Sequence, residues 1–130
     1  MRNVLFIIAI TAAANCFAQS EPACKQFRTG EFAYRDSSNN LINVHRKGGR
    51  QQEVDKKHGI ISKFKIRWTG ACEYELTQIW SNSKARRKYN RSVTKIVITK
   101  ANGDDSYEYN CGCKDREITG SMGTMVRLSD

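Results

Sequence analysis

The chain has 130 residues, 39% hydrophobic and 27% charged, with 22 Lys and Arg against 13 Asp and Glu for a formal charge of +9. That length leaves room for one domain with one modest core. The positive charge favours solubility and anionic surfaces and says nothing about fold.

Residues 1–18 read as a cleaved secretory leader. Arg2 precedes an apolar run from Val4 to Ala14, and Cys16-Phe17-Ala18 places small residues three and one before a cut after Ala18. The run is shorter than the roughly 20 residues that a membrane helix needs. Cys16 lacks the preceding residues that a lipid-acceptor cysteine would want. The mature chain, 19–130, is therefore expected to be a single domain without a membrane span, in a periplasm or outside the cell. It keeps Cys24, Cys72, Cys111 and Cys113. An even count in an exported chain reads as a disulfide framework, with three pairings open. A lone Cys-x-Cys with only His45 and His58 nearby does not make a zinc site.

Period-two alternation between turn signals predicts an antiparallel sheet. An opening strand is expected near Phe27–Tyr34. In LINVHRKGGRQQEVD, Gly48-Gly49 makes the turn, Arg46 faces Gln51, and Glu53 faces Val44. Three polar groups then share a face with Ile42 and Val44. In ISKFKIRWTGACEYELTQIW, a Thr69-Gly70-Ala71 loop places Ile66 opposite Tyr74 and Phe64 opposite Leu76. It pairs Lys65 with Glu75 and Arg67 with Glu73 on the other face, so one face is apolar and the other charge-paired. Residues 81–92 form a long polar interruption with room for a short helical turn. In SVTKIVITKANGDDSYEYNC, Asn102-Gly103 is a two-residue turn signal. It sets Ile98 against Tyr107, Ile96 against Tyr109 and Thr94 against Cys111. A closing strand is expected near Glu117–Leu128. The sum is all-β: an up-and-down meander of about eight strands, a small barrel or half-barrel.

Three constellations stand out. Arg46, Gln51 and Glu53 form either a structural ion pair, with Gln51 satisfying spare donors, or a polar floor where Arg46 takes a ligand carboxylate or phosphate. Trp68 and Tyr74, with Trp80, Tyr107 and Tyr109, read as core aromatics or as a wall for that ligand. Lys84, Arg86, Arg87, Lys88 and Arg91, with Tyr89 between them, form a polyanion-binding candidate or a solvated loop. Asn90-Arg91-Ser92 is a glycosylation sequon. The chain has no nucleophile elbow, no glycine-rich phosphate loop and no metal-ligand cluster. The reading is therefore a non-enzymatic binder with no cofactor, its partner a small ligand or an anionic surface.

Cys24 followed by Phe27-x-Thr-Gly-x-Phe32, then Arg46, Gln51 and Glu53, then Trp68-x-x-x-Cys-Glu-Tyr-x-Leu76 resembles a group of short secreted bacterial β-proteins of unsettled function. The match covers about half of the mature chain. Its members look like small lipocalin-like barrels, and some carry a DNA topoisomerase IV name that nothing in this chain supports. The resemblance implies a Cys24–Cys72 disulfide and draws attention to Arg46, Gln51 and Glu53. The 84–91 loop and the Cys111/Cys113 pair depart from the group's pattern.

Overall fold

A computed structural model describes residues 24–113 and 122–128. The proposed leader lies outside the described residues. A 3-10 turn at Lys25–Phe27 leads into eight strands: β1 (Gly30–Arg35), β2 (Leu41–Lys47), β3 (Arg50–Asp55), β4 (Ile60–Gly70), β5 (Glu73–Ser81), β6 (Val93–Asn102), β7 (Ser106–Cys113) and β8 (Met122–Arg127). Each strand pairs antiparallel with the next. β1 also pairs with β8 through Phe32↔Arg127 and Ala33↔Val126, so the sheet closes into a barrel with no free edge. The half-barrel alternative is thereby set aside.

The β2–β3 hairpin has the register the glycines dictate. Gly48 and Gly49 take φ of 58° and 72°, and Arg46 sits opposite Gln51, Val44 opposite Glu53. Only glycine adopts two successive positive φ values without steric cost. The other two hairpins differ from expectation by two residues. In β4–β5, Trp68 faces Tyr74, Ile66 faces Leu76, Arg67 faces Glu75 and Phe64 faces Gln78. β4 runs on to Gly70, and the turn is Ala71-Cys72. In β6–β7, Ile98 faces Tyr109, Ile96 faces Cys111 and Thr94 faces Cys113. There the loop is Gly103–Asp105, with Asp105 N–H donating to the Asn102 carbonyl at 3.2 Å. A slip of two residues keeps every side chain on its face, so alternation alone does not choose between these registers. Bulges at Trp68/Gly70 and Ile98/Lys100 make the choice.

Two further boundaries move. Phe27 lies in the 3-10 turn rather than in the opening strand, fully buried under the barrel. The described part of the closing strand is Met122–Arg127. The polar segment does hold a helical turn, a 3-10 at Arg87–Tyr89.

The core is Phe27, Phe32, Val44, Ile66, Tyr74, Ile96, Ile98, Tyr107, Tyr109 and Met125, joined by Cys24. Cys24 is bonded to Cys72, Cα to Cα 5.3 Å, which ties the 3-10 turn to the β4–β5 turn. Arg127 reaches from β8 to the same end. Its guanidinium lies 4.8 Å from the Phe32 ring and 5.9 Å from Phe27, and it donates to the carbonyls of Gln26, Thr29 and Asp104. The turn, the disulfide and Arg127 together plug one end of the barrel.

Candidate functional site

Arg46 and Glu53 bring ionisable groups into the barrel at different depths. Arg46 is 1% exposed beside the plug. Its Nε donates to Gln51 Oε1 at 2.7 Å, Nη1 to the Phe27 carbonyl at 3.0 Å, and Nη2 to the hydroxyls of Tyr74 and Tyr107, both at 2.8 Å. The two hydroxyls also bond each other at 2.8 Å. The rings of Tyr74 and Phe32 lie 4.8 and 5.1 Å from the guanidinium carbon. Burial disfavours this cation, but the phenol oxygens outweigh it, and the pKa stands above the ordinary guanidinium value. Burial likewise pushes the Tyr74 phenol up. The proposed Arg46–Glu53 ion pair is absent: among the described residues Arg46 has no carboxylate within ion-pair distance. Two rungs up β3, Glu53 is reached instead by the hydroxyl of Tyr34 on β1.

Glu53 and Tyr34 line an interior cavity of about 190 Å³. Gln51, Phe64, Tyr74, Tyr109, Cys111 and Met125 share its wall. Burial raises the Glu53 pKa against the opposing effects of the Tyr34 hydrogen bond and the charges of Arg46 and Arg86. Burial first, then the Glu53 carboxylate, pushes the Tyr34 phenol far up, and burial raises Tyr109 as well. The pair is a carboxyl group accepting from a phenol inside a mostly apolar pocket. An apolar cavity of about 150 Å³ accepts a benzene ring. The space here suits one ring or a short chain with a polar end.

The sequence candidates divide accordingly. Gln51, Glu53 and Tyr74 line the cavity; Arg46 and Trp68 do not. Trp68 packs on Tyr74, ring centroids 4.7 Å apart, with the Arg28 guanidinium 5.0 Å from its ring. Tyr107 belongs to the Arg46 cluster and Tyr109 to the cavity. Trp80 is 44% exposed on the outer wall. Lys84, Arg87, Lys88 and Arg91 are exposed, whereas Arg86 is half-buried. Their loop is pinned by Gln78, whose amide donates to the Arg86 carbonyl at 2.8 Å and to the Asn90 side-chain oxygen at 2.9 Å. Cys111 lines the cavity on β7. The residue that sequence reasoning passed over is Tyr34. Its signal was the alternation Phe32, Tyr34 in β1, which puts it inward opposite Ile42.

Among the described residues no group of three His, Cys, Asp or Glu side chains is arranged to hold a metal ion, and no helix is long and apolar enough to cross a membrane. In comparisons with known proteins the chain matches no family model, no curated protein and no solved structure.

Proposed function

We propose that the protein is a non-enzymatic binding domain, exported to an oxidising compartment, that holds a small organic molecule inside the barrel with its polar end at Glu53 and Tyr34. The cavity carries the reading: it is lined mainly by aromatic and aliphatic side chains, and the Glu53 carboxyl group and the Tyr34 hydroxyl meet in its wall. The Cys24–Cys72 bond supports the compartment, since such bonds persist outside reducing cytosol. The leader motif and the resemblance to short secreted bacterial β-proteins point the same way. Arg46 serves here as a structural hub, because four of its five N–H donors are already engaged by the protein. The test is mass spectrometry of protein purified from its own secretion pathway, native and then denatured. An excess mass in the native spectrum alone is expected. Matching spectra, together with no binder in a fragment library, would refute the pocket reading.

A second reading rests on the 84–91 loop, where Lys84, Arg87, Lys88 and Arg91 project from a backbone that Gln78 holds in place. As a polyanion or envelope-surface binder, the protein would elute from an anionic matrix only at raised salt. Arg87→Ser with Lys88→Ser would lower that salt concentration. Arg86 is kept in this test because it also acts on Glu53. Unchanged elution of the double variant would remove this reading.

A further inference from the structure

The outer wall of β2, β3 and β4 sets like charges side by side. Lys47 lies directly opposite Arg50, and Arg50 directly opposite Lys65. The neighbouring rung runs His45, Gln52, Lys63 and then Trp80 on β5. Lys47, Arg50, Lys63 and Lys65 are all exposed. Like charges directly opposite on a sheet destabilise it. The same barrel avoids this elsewhere: Arg67 meets Glu75 at 3.1 Å, and Lys95 meets Glu73 at 3.7 Å. Among the described residues none of the four wall cations has a carboxylate within ion-pair distance, and Glu31 beside them is engaged by His45.

A second, independent feature borders this charge. β4 and β5 lose register between Lys63 and Phe64: Phe64 pairs with Gln78 and Lys63 with Trp80, leaving Ile79 as the extra residue. Gln78 and Ser81 point inward, 6% and 1% exposed, whereas Ile79 and Trp80 between them are 40% and 44% exposed. A regular strand would send one of those two inward. The bulge puts two large apolar side chains in succession on the outside, the kind of re-aiming for which bulges are used. Lys63 Nζ stands 5.2 Å from the Trp80 ring centroid. Between the cations and the apolar pair lies a surface depression of about 490 Å³, lined by His45, Lys47, Arg50, Lys63, Phe64 and Ile79 among others.

We propose that this depression binds a small amphipathic anion, a phosphate monoester on an aromatic or aliphatic body, with the phosphate on Lys47 and Arg50 of its lining and on Lys65, which adjoins the lining opposite Arg50, and the body against Ile79 of the lining and Trp80, which adjoins it opposite Lys63. A phosphate brings close to two negative charges and three acceptor oxygens. Arg50 offers the planar fork that meets two of them at once, and the flanking lysines neutralise the remaining charge. Binding relieves the repulsion among the three cations, so the site gains from its own strain in the free state. It is distinct from the 84–91 loop, and it adjoins the interior cavity, with which it shares Gln51 and Phe64.

The test is a 15N NMR titration of the oxidised protein with phenyl phosphate, with inorganic phosphate and phenol as comparison probes. Saturable shifts are expected at residues 45–52, 63–65 and 79–80. Phenyl phosphate should bind at least tenfold more tightly than either comparison probe and lose at least fivefold in affinity between 50 and 300 mM NaCl. The variant Arg50→Gln/Lys65→Gln should bind at least tenfold more weakly, while its melting temperature at low salt equals or exceeds that of the parent, since two like charges are gone. Equal binding of inorganic phosphate and phenyl phosphate would overturn the amphipathic assignment. Shifts confined to residues 84–91 or to Tyr34, Glu53, Tyr109, Cys111 and Met125, or unchanged affinity in the double variant, would overturn the site itself. The cavity reading is tested separately by the native mass, so loss of this site leaves it standing.

Discussion

Glu53→Gln isolates the electrostatics of the cavity. Gln has the same shape, accepts the Tyr34 hydroxyl hydrogen bond through its own oxygen, and cannot ionise. In the parent, burial holds the Glu53 pKa above the ordinary carboxyl value. A carboxyl group whose native pKa is raised contributes fully below its unfolded pKa. That contribution falls as pH rises towards the native pKa, because the unfolded chain releases the proton first. Within that window the loss approaches about 1.4 kcal/mol per pH unit. Above it the native state carries an ionised carboxylate in a mostly apolar pocket, with Tyr34 as its one direct donor among the described residues and the charges of Arg46 and Arg86 at longer range. The Gln variant is therefore expected to be more stable than the parent at pH 8 by about 1–3 kcal/mol, and equal or slightly less stable at pH 4. The assay is urea unfolding at half-unit steps from pH 4 to 9, with the difference between the two proteins plotted against pH. The difference should grow with pH and then level off. A flat difference would mean that Glu53 titrates like a solvated side chain, and the reading of a buried acid–phenol pair would fall.

Three other perturbations follow from the same geometry. Opening the Cys24–Cys72 bond, by Cys24→Ser with Cys72→Ser, frees a loop spanning 48 positions and should cost about 4 kcal/mol of stability by loop-closure entropy, read from denaturant midpoints; a midpoint that hardly moves would show that the plug holds without it. Arg46→Lys keeps the charge but gives three rotatable donors on one nitrogen in place of a planar fork serving Gln51, Phe27, Tyr74 and Tyr107. At least one buried acceptor loses its partner, at about 1–3 kcal/mol each, and an unchanged unfolding free energy would contradict the hub role. Gly123→Ala would place a methyl 2.5 Å from the Tyr109 hydroxyl oxygen and 2.6 Å from its ring carbon Cζ, forcing that ring into the cavity. The expected result is about 1–3 kcal/mol of destabilisation together with weaker binding of any cavity ligand. Full retention of both would refute the packing of Tyr109 on Gly123.

How much of this was legible in the sequence depended on which physical rule carried the information. The Gly48-Gly49 turn fixed its hairpin, because two positive φ values admit no other residues easily, and Arg46 fell opposite Gln51 as a consequence. The faces of β4 through β7 were also legible, since alternation survives an even slip. Their registers were not: a bulge adds one residue without a composition mark, and two bulges moved Tyr74 and Tyr109 to new partners. The Cys24–Cys72 bond came through a resemblance and not through spacing. The partner of Glu53 was hidden for another reason. Tyr34 lies 19 positions away on β1, and it meets β3 only across the barrel interior, where no hairpin rule applies. The same holds for Arg46, whose tyrosine partners are 28 and 61 positions distant.

Those long separations explain why Arg46 and Glu53 have different roles despite sitting two residues apart on neighbouring strands. Arg46 is surrounded by neutral acceptors and ring faces drawn from β3, β5, β7 and the 3-10 turn, so moving it disturbs four elements at once. Four of its five N–H donors are engaged in this way, and a guest anion seeking a two-pronged contact would have to displace tyrosines that close the barrel floor. Among the described residues Glu53 has a single direct hydrogen-bond partner, and it borders open space. A guest bringing one hydrogen-bond donor or one positive charge can reach it without breaking any strand. The more conspicuous buried charge therefore belongs to the scaffold, and the less conspicuous acid is where selectivity for a ligand would be set. An Arg46 variant should change the unfolding free energy with any loss of binding following from that, whereas a Glu53 variant should change ligand preference while the barrel stays folded.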